Sequence, residues 1–64
     1  MGYHILWIDD KPSLEFIDVA FEIYGLDIIN KLSYTSGIEW LEENKDICLA
    51  VLLDVNCKVD DNSN

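Results

Sequence analysis

The sequence predicts an α/β fold built on a small parallel sheet. Three observations point there. Two apolar, β-rich runs, 3–8 and 48–53, each end directly in aspartate. Between them lies an amphipathic stretch bounded by Pro12-Ser13 on one side and Gly25 on the other. A second helix start, Ser36-Gly37-Ile38-Glu39, precedes the last apolar run. The order is therefore β-α-β-α-β, and alternating units of this kind build parallel sheets with helices on both faces.

Taken in order, Ile5, Leu6, Trp7 and Ile8 are consecutive apolar residues, the pattern of a strand covered on both faces. Asp9, Asp10 and Lys11 end it. Pro12, Ser13 and Glu15 favour a helix start, and the spacing predicts a helix over 14–24 with Gly25 as its C-terminal stop. Its polar residues Glu15, Asp18 and Glu22 form a stripe about 60° wide, while the apolar residues cover about 220°. One sheet face needs a narrower stripe, so something besides the sheet should cover this helix. Residues 27–34, with Ile28, Ile29 and Leu32, predict a second, edge strand. Ser36 and Glu39 have capping-box spacing, which predicts a short helix to about Asn44 that buries Ile38 and Leu41, with Trp40 flanking them. Residues 48–53 predict the third strand, ended by Asp54. Residues 57–64 are polar and acidic without periodicity, and predict a loop or disordered tail.

Right-handed crossovers place the first strand between the other two, in the order 2-1-3. The carboxyl ends of the first and third strands then lie side by side. Those ends carry Asp9-Asp10 and Asp54, at the edge where open α/β sheets bind ligands.

Composition limits what such a chain can do. It has 64 residues, half of them hydrophobic, and a net charge of −9 from 13 acids against 4 Lys and Arg. A domain this small buries only about 60% of its unfolded surface, so this much apolar content implies a larger domain or a partner. The negative field repels phosphate backbones and anionic membranes and attracts cations, which argues against nucleic acid and membrane partners. Cys48 and Cys57 fit neither a zinc nor a redox spacing and are read as reduced thiols. The first residues lack the basic-then-apolar pattern of a signal peptide, which predicts none, and the apolar run 47–53 is too short to span a bilayer. These features predict a cytoplasmic protein.

One aspartate after a strand is an ordinary turn residue. Three that converge repel, each close pair by about 1–4 kcal/mol. A divalent cation neutralises them. Mg²⁺ suits the set because it takes one or two carboxylates plus waters, and the main-chain carbonyl of Asn56 is placed to add another oxygen. An aspartate beside Mg²⁺ is also a nucleophile toward phosphorus, giving an aspartyl phosphate.

ILWIDDKP followed by a helix, then GIEWL, then AVLLDVN together resemble the receiver domain of bacterial two-component response regulators. The resemblance runs over about residues 4–56 and implies a flavodoxin-like fold with strand order 2-1-3-4-5, of which 1–56 would be the N-terminal half. It implies that Asp54 is the phosphoacceptor, served by a sensor histidine kinase. Asp9, Asp10 and Asp54 would hold Mg²⁺ with the Asn56 carbonyl. The domain would act as an acceptor rather than as an enzyme.

The chain departs from that pattern at three points. Cys57-Lys58-Val59-Asp60-Asp61 replaces the usual short turn with Pro, Lys11 stands where an acid is frequent, and Trp40 replaces a small residue. The later strands of a receiver, with their hydroxyl residue and lysine, do not appear in these residues. The third strand and first helix would then be open, which predicts self-association through one or the other. Two other functions compete: an interaction module that is never phosphorylated, and a phosphohydrolase of the haloacid dehalogenase type. The latter needs Asp-x-Asp, whereas Asp9 and Asp10 are adjacent. His4 lies inside the first strand, away from the acids, and is read as structural.

Overall fold

The computed structural model describes residues 3–60. It contains β1 (His4–Ile8), α1 (Leu14–Tyr24), β2 (Asp27–Lys31), α2 (Tyr34–Glu43), a 3-10 turn (Lys45–Ile47) and β3 (Cys48–Leu53). All three strands are parallel, in the order β2-β1-β3. The architecture is the α/β half-sheet predicted from the sequence, as in half of a flavodoxin-like fold.

Neighbouring residues on a strand point to opposite faces. Trp7 meets Phe16 of α1 edge-on, with ring centroids 5.4 Å apart, so α1 covers the Ile5/Trp7 face. Leu6 and Ile8 point the other way and pack with Tyr34, Trp40 and Leu41 of α2, together with Cys57. Gly37 of α2 lies so close to β1 that a methyl group there would overlap the Ile8 side chain.

α1 begins and ends where the sequence predicts. Ser13 Oγ accepts from the Phe16 N–H at 3.1 Å, and Gly25 takes a left-handed conformation at φ 67°. Such a C-terminal cap favours glycine because it carries no Cβ.

α2 differs from expectation. Ser33, not Ser36, is its cap, and β2 ends at Lys31 rather than running to Tyr34. The reason lies in the tail. The Tyr34 N–H donates to the Lys58 carbonyl at 3.1 Å and the Thr35 N–H to the Val59 carbonyl at 2.8 Å. These are first-turn donors that a helix leaves without internal partners. The helix thus starts three residues early, and the buried Ser33 Oγ takes the Ser36 N–H at 3.2 Å. Gly37, Trp40 and Leu41 form the face that meets the sheet, and Ile38 lies about 100° round the helix from Gly37. Ile38, predicted to be buried, is 53% exposed.

Residues 57–60 form a loop docked on α2, and Cys57 is buried. The rest of the predicted tail, 61–64, lies outside the described residues. β2 and β3 are the two edges of the sheet, and on β3 Leu49, Val51, Leu52 and Leu53 are all exposed. The accessible surface of 4640 Å² is about a tenth above the ~4,200 Å² usual for folded monomers of this mass. No helix among the described residues is long and apolar enough to cross a membrane.

Candidate metal centre

β1 and β3 are adjacent and in register from Ile5 to Ile8, so their ends meet. The Asp9 N–H donates to the Lys31 carbonyl at 2.9 Å and the Asp54 N–H to the Ile8 carbonyl at 3.0 Å. The sheet ladder therefore continues into both acidic positions and carries them to one edge. Asp9, Asp10 and Asp54 are half-buried, and each offers an oxygen within 4.8 Å of those of the other two.

Two of the carboxylates are oriented by local hydrogen bonds. Asp9 Oδ1 accepts from the Lys11 N–H at 2.9 Å, and Asp54 Oδ1 accepts from the Asn56 N–H at 3.1 Å. Each bond engages one oxygen and leaves the second to serve as a ligand. Asn56 itself is exposed, in the turn that follows Asp54. Octahedral Mg²⁺ at 2.0–2.1 Å from its ligands needs oxygens about 2.9 Å apart when adjacent and about 4.2 Å apart when opposite. The set is hard and all-oxygen, with its oxygens within 4.8 Å of one another, and could hold such an ion if they drew closer.

Three further residues hold this edge. The Asn30 side-chain amide donates to the carbonyls of Trp7 and Asp9, at 3.0 and 3.2 Å, and ties β2 to the end of β1. The Tyr34 hydroxyl donates to the Asp54 carbonyl at 2.7 Å. Cys57 Sγ lies 3.3 Å from the Leu32 carbonyl, its acceptor. Burial pushes the Cys57 thiol above the usual range. The negative charges of Asp10, Asp54 and Asp9 push it the same way, against a hydrogen bond with the Asp10 backbone.

Sequence reasoning passed over these three. Asn30 carried at most a weak signal, a lone amide following Ile28 and Ile29 in a strand that also holds Asp27 and Lys31. Tyr34 and Cys57 carried none, because their roles depend on where residues 57–60 fold back.

His4 lies at the amino end of β1, about 16 Å along the strand from Asp9. It stacks edge-on against Trp40, with centroids 6.1 Å apart. Its Nδ1 is 2.9 Å from Asp27 Oδ2 but is not aligned for a hydrogen bond. The sheet thus keeps His4 away from the acidic edge.

The chain matches no protein-family model, no curated protein and no solved structure.

Proposed function

We propose that this chain is the acceptor-bearing half of a receiver-type signalling domain. In this reading Asp54 takes a phosphoryl group from a sensor histidine kinase in the cytoplasm. Mg²⁺ would be held by Asp9, Asp10, the Asp54 carboxylate and the Asn56 main-chain carbonyl. The observation that carries the reading is the meeting of Asp9, Asp10 and Asp54 at the carboxyl edge of β1 and β3. The wording of the sequence around those residues supports it.

In this reading the transfer is an in-line displacement at phosphorus. One Asp54 carboxylate oxygen attacks phosphorus, and the other would remain on the cation. A P–O bond to Asp54 forms as the bond from phosphorus to the donor breaks, and the electron pair leaves with the donor. A bound divalent cation supplies charge neutralisation between the carboxylates and the incoming phosphoryl oxygens. In this reading Asp9 and Asp10 are metal ligands rather than nucleophiles.

The test is labelling of a complete domain that contains this half with a small acyl phosphate and Mg²⁺, read by intact mass. The expected product is one hydroxylamine-labile phosphoryl group, absent in Asp54→Asn and without Mg²⁺. Equal labelling of Asp54→Asn would sink the assignment. Cation binding without any labelling would favour the unphosphorylated interaction module.

We propose also that copies associate through the open edge of β3. Its six residues carry no charge or proline to block pairing. Antiparallel pairing about a two-fold axis sets the two acidic ends about 20 Å apart along the shared edge, whereas parallel pairing would bring them together. With nine net negative charges on each chain, the antiparallel arrangement is the favourable one.

A further inference from the structure

We propose that Tyr34 is a positioning residue for Asp54, and that it locks the loop after the acceptor onto the start of α2. The inference rests on the reading of Asp54 as acceptor and ligand.

The backbone of Asp54 is held from both sides. Its N–H is bound to the Ile8 carbonyl of β1 at 3.0 Å. Its carbonyl accepts from the Tyr34 hydroxyl at 2.7 Å and from the Cys57 N–H at 3.1 Å. The first of these three bonds belongs to the sheet and the last closes a tight turn. Only the Tyr34 bond reaches Asp54 from a different layer of the fold. Tyr34 is the first residue of α2, and the same residue's N–H holds the Lys58 carbonyl at 3.1 Å. Thr35 repeats the pattern, with its N–H at 2.8 Å and its hydroxyl at 2.9 Å from the Val59 carbonyl. Cys57 is buried between these points and packs against Leu6 and Ile8. The turn 54–57 is thus clamped at both ends to one helix start.

The consequence concerns the ligand oxygens. The Asn56 N–H holds Asp54 Oδ1, and that bond depends on the path of the turn. The same path sets where the Asn56 carbonyl points. A short phenol bond to the Asp54 carbonyl therefore fixes two of the proposed cation ligands without touching the cation. It also makes α2 the element that any rearrangement of the acceptor loop must move.

The test compares Tyr34→Phe with the wild type by NMR, with Mn²⁺ as the probe. Loss of one such hydrogen bond is expected to weaken Mn²⁺ binding at the trio about two- to tenfold. Amide exchange of Asn56 and Cys57 should quicken by a similar factor. Exchange of the Gly37 amide, bonded to the Ser33 carbonyl within α2, should not change. An unchanged Mn²⁺ affinity, unchanged Asn56 and Cys57 exchange, or acceleration that includes Gly37 overturns the proposal. If the wild type itself fails to bind Mn²⁺ at the trio, the acceptor reading falls, and the exchange data still decide the role of Tyr34. Should Tyr34→Phe not fold, the wild-type hydroxyl proton decides. A slowly exchanging resonance close to Asp54 supports the bond, and free exchange with water overturns it.

Discussion

On the α2 side of the sheet, Leu6 and Ile8 are 0% and 4% exposed, and Ser33 and Cys57 are buried beside them. On the α1 side, Phe21, Ile23 and Tyr24 are 60%, 66% and 72% exposed, and Ala20 is the buried residue of the helix. The two sides differ in what closes them. The α2 side is sealed by the returning loop, which supplies Cys57 and two carbonyls to the helix start. The α1 side and the β3 edge have no such cover among the described residues. The acidic trio belongs to the sealed side, because its buttresses Tyr34 and Cys57 do.

Substitutions on the two sides should therefore separate sharply. Leu6→Ala removes a fully buried side chain and should cost about 2–5 kcal/mol, enough to unfold a chain this small. Phe21→Ala should change stability by no more than about 0.5 kcal/mol. Urea titrations followed by circular dichroism compare them, and equal losses would erase the distinction. Gly37→Ala sharpens it at one contact. Overpacking Ile8 costs about 1–3 kcal/mol, and alanine's better helix propensity returns about 1. A net loss of about 1 kcal/mol is expected, and a net gain would mean that α2 sits further from β1.

Cys57 gives the sealed side a pH signature. Its folded pKa lies above its unfolded one, so the unfolded state releases the proton first. Stability should hold below about pH 8.5, the usual thiol range, and fall as pH rises from there through the folded value. Cys57→Ala should lack that part of the slope, and parallel alkaline unfolding curves would contradict the burial. The smallest effect on folding belongs to the open edge. Leu49→Lys should alter stability by under about 0.5 kcal/mol while abolishing self-association in light scattering. A wild type that stays monomeric at micromolar concentration would remove β3 pairing from the account.

Much of this was legible in the residues. An apolar strand that ends in acid is a local signal, and two of them made adjacent by a topological rule bring Asp9, Asp10 and Asp54 together without any long-range information. The limits of α1 were equally local, set by Ser13 and Gly25. The start of α2 was not. Ser33 and Ser36 both have capping chemistry, and the choice between them is made by the carbonyls of Lys58 and Val59, more than twenty residues on. That choice placed Tyr34 in the first turn of the helix, where it reaches Asp54. Polar composition around Cys57 also hid its burial, because a single thiol in a polar stretch carries no periodicity.

The central claim is that the three aspartates form one cation site. Mn²⁺ titration of the isotope-labelled protein, followed by paramagnetic broadening of amide signals, tests it most directly. The account predicts that broadening begins at Asp9, Asp10 and residues 54–57, is displaced by excess Mg²⁺, and is lost in Asp10→Asn. Broadening that begins at Glu42 and Glu43, or that spreads evenly over the acidic surface, would contradict it.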